Sequence, residues 1–162
     1  TQAKTLFPYT TLFRSDLPVL DRVDVQVGST TFSVRALSVA EMKLIAALYL
    51  EPQPPLEERP KVGMIRKVND PQYCADFTRH SERLVLLEVA MAINYLPAGS
   101  ASIPSVPALP WDDKGLAEAR AWAKATLGEL EARLAWPLVQ RLHRAMTQAG
   151  NIGALIEDER KN

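Results

Sequence analysis

The side chains that could act as nucleophiles or metal ligands are few and widely spaced. The single cysteine, Cys74, lies six residues before His80. On a helix this spacing is about 600° of rotation, which places the two side chains on different faces. Because nucleophilic catalysis needs a thiol or hydroxyl close to a base, the pair does not fit it. We interpret Cys74 as a buried or half-buried small residue, and His80 and His143 as surface or boundary residues, since no spacing matches a zinc site.

Adjacent carboxylates could support acid–base chemistry, and they occur at three places in the chain. These are Glu57-Glu58, Asp112-Asp113 and Glu157-Asp158-Glu159. Each group falls in a predicted loop, helix start or tail, where solvation or capping accounts for it. The seven glycines form no phosphate-binding loop. We therefore predict that the protein is not an enzyme and needs no metal or cofactor.

Large apolar side chains offer a different chemistry, which is recognition of another protein. Trp122 and Trp136 are fourteen residues apart, nearly four turns, so they would align along one continuous helix. Core packing is the default interpretation of such residues. The alternative is an exposed surface that binds a protein partner. The candidate partner-binding residues are Trp111, Trp122, Trp136, Leu130 and Leu134.

The elements that must position these residues begin with a β-hairpin. Valines at 23, 25 and 27 alternate with polar residues, Gly28-Ser29 interrupts the pattern, and Phe32 and Val34 resume it. Alternation at period two with a glycine-led turn is typical of a hairpin. Because an isolated two-stranded ribbon is only marginally stable, helices must cover its apolar face.

Helix start and stop signals divide the next part of the chain. Ser38 and Glu41 have the spacing of a capping box, and the helix that they begin must end before Pro52. We predict a loop over 52–69, with one short helical turn at 62–68. An aspartate N-cap followed by proline at Asp70-Pro71 begins a long helix that runs to Pro97.

The second half of the chain is predicted to be helical after a proline-rich linker over 97–110. Helical composition extends to residue 135, with Glu129 and Arg133 as an i,i+4 pair. Pro137 then marks either a kink or a new helix, and Gly150 is expected to follow the last helix. The predicted fold is mainly α with one N-terminal β-hairpin (α+β), the hairpin packed on a small helical bundle. Residues 21–149 would form one domain, with a possible subdivision at the linker, and 150–162 a polar C-terminal tail.

Composition limits the classes of partner. The chain has 19 basic and 19 acidic residues, so no overall positive field attracts nucleic acid or anionic lipid, and nucleic-acid binding is not expected. No run in the sequence reaches the roughly 20 consecutive apolar residues that cross a bilayer, so no membrane partner is predicted. A lone cysteine forms no internal disulfide and suits a reducing compartment, which favours a cytoplasmic location.

The first fifteen residues do not read as part of the domain. Thr5 to Ser15 (Thr-Leu-Phe-Pro-Tyr-Thr-Thr-Leu-Phe-Arg-Ser) resembles, codon for codon, the in-frame translation of a sequencing-library adapter. We interpret 1–15 as an adapter-derived artefact, expect it to be disordered, and exclude it from the fold.

The hairpin and its capping box carry a family resemblance. The run from Val25 to Glu41 (Val-Gln-Val-Gly-Ser-Thr-Thr-Phe-Ser-Val-Arg-Ala-Leu-Ser-Val-Ala-Glu) resembles the opening of tail assembly chaperones of long-tailed, siphovirus-like bacteriophages. In that family a short hairpin leads into a helix and an all-helical remainder. The resemblance covers 23–50 in motif and the rest in element order only. The proline-rich linker has no counterpart in the family pattern.

The resemblance implies a non-enzymatic, cytoplasmic protein of a phage or prophage. Its partner would be the tape measure protein, which it would hold soluble while the tail tube assembles, with self-association as a further possibility and no small-molecule substrate. Two alternatives stay open at this point. One is a virion or head–tail joining component, and the other is a small nucleic-acid-binding regulator, suggested by Arg141, His143 and Arg144 and by Arg66-Lys67.

Overall fold

The computed structural model describes residues 22–106 and 113–150. This part of the chain contains two hairpins and four helices. In chain order they are β1 (Arg22–Val27), β2 (Thr30–Arg35), α1 (Val39–Leu48), β3 (Leu56–Arg59), β4 (Gly63–Arg66), α2 (Pro71–Ala92), α3 (Asp113–Leu130) and α4 (Trp136–Ala149). The predicted class is confirmed, because an N-terminal hairpin packs on helices in a mainly helical α+β fold. The adapter-like residues and the tail beyond Gly150 lie outside the described residues.

The N-terminal hairpin forms in the predicted register. Arg22 pairs with Arg35 and Val27 with Thr30, which leaves Gly28 and Ser29 as a two-residue turn. Gly28 has a φ of +58°, a conformation that glycine adopts without steric cost and that the first position of a type II′ turn requires. Side chains at alternate positions of both strands, including the buried valines at 25 and 34, face the helices. The hairpin therefore gains its stability from tertiary packing.

A polar network fixes how the hairpin leads into α1. The predicted capping box is present: the Ser38 hydroxyl accepts from the Glu41 amide at 3.2 Å, and the Ser38 amide donates to the Glu41 carboxylate at 2.8 Å. Arg35, the last residue of β2, donates two hydrogen bonds to the same carboxylate, at 3.1 and 2.7 Å. Burial would raise the pKa of Glu41, but the hydrogen bonds from Arg35 and Ser38 together hold this pKa below its ordinary value.

The prediction of a loop over 52–69 is wrong, because β3 and β4 form a second antiparallel hairpin there. Lys61 in its turn has a φ of +69°, and Gly63, the first residue of β4, has a φ of +85°. Among the described helices and strands, β3 and β4 pack only against each other. Backbone pairing rather than apolar burial forms this hairpin, so its strands carry no alternating hydrophobic pattern.

The long helix α2 is the centre of the bundle. Asp70 caps it by accepting from the Tyr73 amide at 3.0 Å, and Pro71 lies in the first turn, as predicted. α2 packs against α1, α3, α4 and β2, while α4 crosses both strands of the first hairpin. Most of the largest fully buried side chains come from β2 and the four helices: Val34, Leu44, Ile45, Leu87, Val89, Met91, Trp122, Val139 and Leu142. One apolar core therefore joins the hairpin and the four described helices.

The described part of the proline-rich linker contains neither helix nor strand, and residues 107–112 lie outside the described residues. The helix that follows it, α3, packs on α1 and α2, which precede it. None of the described helices is both long enough and apolar enough to cross a membrane.

Candidate functional site

A groove opens where the middle of α2 meets the end of α3 and the start of α4. We call it the interhelical groove, and it has a volume of about 370 Å³. Its lining combines an apolar floor with a charged rim: Arg79, Glu82, Arg83 and Leu86 from α2, Leu130, Glu131 and Leu134 from the end of α3 and the following turn, and Trp136 and Val139 from α4.

Local chain chemistry creates this groove by ending one helix and starting another. The amides of Arg133 and Leu134 both donate to the Leu130 carbonyl, at 3.1 and 2.9 Å, so the chain tightens and leaves the axis of α3. α4 then begins at Trp136, with Pro137 in its first turn, where the missing amide costs no hydrogen bond. Pro137 therefore marks a new helix rather than a kink. The break leaves a gap beside α2.

The floor of the groove belongs to the core, whereas one wall is exposed. Leu86, Leu130 and Val139 are buried and fixed by their neighbours in the bundle. Leu134 is half-buried and packs against the core from the turn. Trp136 keeps 40% of its surface exposed, although tryptophan is usually among the most buried residues. A partner that entered the groove would meet a rigid floor and a large aromatic side chain.

The rim carries charges of both signs. Arg83 Nε donates to Glu131 Oε1 at 2.9 Å, which joins α2 to the turn after α3. Both side chains are more than a third exposed, so this ion pair contributes little, about 0–1 kcal/mol. With Arg79 and Glu82 the rim holds two positive and two negative charges. An apolar centre inside a balanced polar rim is the anatomy of a protein-binding surface.

Three of the five predicted partner-binding residues, Leu130, Leu134 and Trp136, meet in this groove. Trp122 does not reach it: only 2% of Trp122 is exposed, and its indole Nε1 donates to the Tyr95 carbonyl at 3.1 Å. Trp122 thus follows the default core interpretation. The expected alignment of Trp122 with Trp136 fails because the two lie on different helices. Trp111 lies outside the described residues.

A second polar cluster ties the end of α2 to α3, and the sequence did not predict it. The Tyr95 hydroxyl donates to Glu129 Oε2, and the Ala98 amide donates to Glu129 Oε1 at 2.8 Å. The hydrogen bond from Tyr95, followed by that from Ala98, lowers the pKa of Glu129. The same bond to Glu129 raises the pKa of Tyr95. Because both partners are engaged with each other, the cluster positions the chain after α2.

The titratable groups considered for catalysis are dispersed. Cys74 is exposed, which corrects its interpretation as a buried or half-buried residue. His143 Nε2 lies 3.0 Å from Glu88 Oε2 and joins α4 to α2, on the boundary position expected of it. Within residues 22–106 and 113–150, no group of three or more histidine, cysteine, aspartate or glutamate side chains is arranged to hold a metal ion.

No protein-family model, curated protein or solved structure matches this chain. The features that bear on function are therefore the interhelical groove and the sequence of the first hairpin and α1.

Proposed function

We propose that this protein is a non-enzymatic tail assembly chaperone of a long-tailed bacteriophage, which binds the tape measure protein and keeps it soluble in the cytoplasm of the host cell. The observation that carries the proposal is the interhelical groove with its half-exposed Trp136. The similarity of 23–50 to the hairpin and first helix of that family supplies the identity of the partner.

The groove is suited to one face of an amphipathic helix. Helix-in-groove recognition uses apolar side chains at helical spacing that enter a hydrophobic cleft between helices. The leucines at 86, 130 and 134 and Val139 offer the apolar floor, and about 370 Å³ has room for several side chains of the incoming helix. Trp136 would then close over the bound helix as an anchor residue, the type most often found at binding hot spots.

The balanced rim matches a long helical client better than a small charged ligand. With two positive and two negative residues, the rim selects no single charge sign, and it can pair with the mixed charges that flank the apolar face of such a helix. Covering that face removes the surface through which client molecules would associate with each other. Solubility of the client is therefore the expected output of binding.

Co-expression with the tape measure protein of the same genome tests the proposal. We expect a larger soluble fraction of the tape measure protein and a complex that survives gel filtration. Trp136→Ala should reduce both. The matched control is Val62→Ala, which truncates another exposed apolar side chain, 70% exposed, in the β3–β4 turn away from the groove. Unchanged client solubility together with no recovered complex would reject the proposal.

Purified phage particles distinguish this function from a structural one. An assembly chaperone leaves before the tail is complete, so the protein should be missing from the particles while the tape measure protein is present. Stoichiometric recovery of the protein in particles would favour a virion or head–tail joining component.

A further inference from the structure

A second cleft lies between the first hairpin and α4, on the other side of α4 from the interhelical groove. Its volume is about 290 Å³. Three consecutive residues of β1 and four residues of α4 line it: Val23, Asp24, Val25, Arg141, Arg144, Ala145 and Gln148. No residue of β2 takes part, so the cleft flanks the edge of β1 that faces away from its partner strand.

That edge of β1 is unpaired. In the described part of the chain, β1 forms a ladder with β2 alone, and no other backbone hydrogen bond involves residues 22–27. A free edge presents a row of amide and carbonyl groups that an extended segment can pair with as an added strand. The cleft therefore offers backbone partners along one wall.

The opposite wall is basic. Arg141 and Arg144 are exposed, lie one turn apart on α4, and form no hydrogen bond or ion pair with any described residue. α4 contains no aspartate or glutamate, and Asp24 is the one carboxylate among the lining residues. The cleft thus combines a free strand edge with two unneutralised guanidinium groups. An extended apolar segment followed by a run of carboxylates has the complementary chemistry.

The chain itself supplies such a segment directly after α4. After Asn151, residues 152–162, which lie outside the described residues, contain a short apolar run (Ile152-Gly-Ala-Leu-Ile156), then three consecutive acidic residues (Glu157-Asp158-Glu159), and then Arg160 and Lys161. The run contains β-branched residues and is as long as an ordinary strand. Asn151, between Gly150 and this run, is a residue type that favours a change of chain direction.

The place where the chain leaves α4 and the length of the segment that follows also fit this cleft. A Cβ placed on Gly150 would lie 3.5 Å from Ala36 Cβ, so the chain leaves α4 beside the end of the hairpin where Arg22 pairs with Arg35. Arg141 lies nine residues back along α4, which is about 14 Å from Gly150 at 1.5 Å per residue. The five steps from Ile152 to Glu157 in extended form span about 17 Å at 3.3 Å per residue. A segment that runs back along the edge of β1 thus brings its carboxylates level with Arg141 and Arg144.

We propose that residues 151–159 occupy this cleft within the same molecule. Ile152–Ile156 pair with the free edge of β1 as a third strand, parallel to it, and Glu157–Glu159 form ion pairs with Arg141 and Arg144. The third strand protects an edge that would otherwise be open to other chains. This inference is independent of the proposed function, because it concerns a different surface and an internal occupant.

Amide hydrogen exchange of the isotopically labelled full chain, read by NMR at low salt, tests the proposal. A paired strand exchanges only when it opens, so the amides of Ile152–Ile156 should exchange at least about tenfold more slowly than in an unstructured peptide. The double variant Arg141→Glu/Arg144→Glu should abolish this protection. The matched control Arg120→Glu/Lys124→Glu, which changes two exposed charges on α3, should leave it intact. Circular dichroism establishes that each variant is folded.

A charge swap makes the test specific. Adding Glu157→Lys, Asp158→Lys and Glu159→Lys to the Arg141→Glu/Arg144→Glu variant should restore the protection, because the ion pairs re-form with reversed sign. Exchange at free-peptide rates in the unmodified chain would overturn the proposal, as would protection that the double variant leaves unchanged. Protection that grows with protein concentration would also overturn it, since the occupant would then be the segment of a second copy.

Discussion

Truncation of Trp136 should weaken binding of the tape measure protein by an amount that follows from the exposed area of its side chain. A tryptophan side chain presents up to about 250 Å² of surface, so the exposed 40% of Trp136 is about 100 Å². Covering that area at about 25 cal/mol per Å² contributes about 2.5 kcal/mol. Trp136→Ala is therefore expected to raise the Kd about 60-fold. Trp136→Phe, which keeps an aromatic ring, should give an intermediate value.

Isothermal titration with a tape measure fragment measures this change, with the urea unfolding curve of each variant recorded to show that the protein is folded during the titration. The rim provides the comparison. Arg83→Ala and Glu131→Ala remove one exposed ion pair, and because such pairs contribute at most about 1 kcal/mol, each should raise the Kd less than about fivefold. If Trp136→Ala binds within about threefold of the unmodified chain, or if the rim variants lose more affinity than Trp136→Ala does, the groove is not the binding site.

Three further predictions concern the fold. Thr126 is fully buried, and its hydroxyl has no hydrogen-bond partner among the described residues. Thr126→Val should therefore raise the free energy of unfolding, measured by urea titration, by about 1–2 kcal/mol. A free energy of unfolding below that of the unmodified chain would show that the hydroxyl is hydrogen-bonded. Glu41→Gln should lower the free energy of unfolding by about 1–2 kcal/mol at pH 7, because it weakens both the capping box and the bonds from Arg35. Because the pKa of Glu41 is lowered in the folded state, ionised Glu41 stabilises the fold fully above the ordinary pKa of 4.5, and this stabilisation is lost as the pH falls through the folded-state pKa. The free energy of unfolding of Glu41→Gln should therefore fall less steeply at acid pH than that of the unmodified chain. An equally steep fall would contradict this role of Glu41. Tyr95→Phe removes the main hydrogen bond that lowers the pKa of Glu129, so an NMR titration should show this pKa moving upward, and no movement would contradict the role of the phenol.

The features that the sequence predicted correctly are those set by local chemistry. The capping box at Ser38 and the Asp70-Pro71 helix start involve groups within four residues of each other, so their geometry follows from the residue types alone. The first hairpin is similar, because the alternation of its apolar residues and the glycine turn specify both the register and the buried face. These signals also establish the α+β class.

The features that sequence reasoning missed depend on partners distant in the chain or on backbone pairing. Glu129 was paired with Arg133, and the charge of Arg133 does help to lower the pKa of Glu129. The larger causes are the hydrogen bonds that Glu129 accepts from Tyr95 and the Ala98 amide, which lie about thirty residues earlier in the chain. The β3–β4 hairpin buries little apolar surface, so a hydrophobic pattern could not reveal it.

The groove was predicted only in part, for the same reason. Helical spacing selected Leu130 together with Leu134, and Trp136 together with Trp122. It could not show that the helix breaks between Leu130 and Trp136, and that break is what opens the gap against α2. The residues of α2 that complete the groove, such as Arg83 and Leu86, carry no local signal of a binding site.

The most direct test of the central claim is an NMR titration of the labelled chain with a tape measure fragment. The indole N–H resonances act as reporters, because Trp136 lines the interhelical groove while Trp122 is buried with its Nε1 bonded to the Tyr95 carbonyl. Binding in the groove predicts a large shift for Trp136 and for the amides of Glu131 and Leu134, with Trp122 nearly unmoved. Saturable binding that leaves Trp136 unshifted, with its footprint instead on the β3–β4 hairpin or on the cleft beside β1, would contradict the claim.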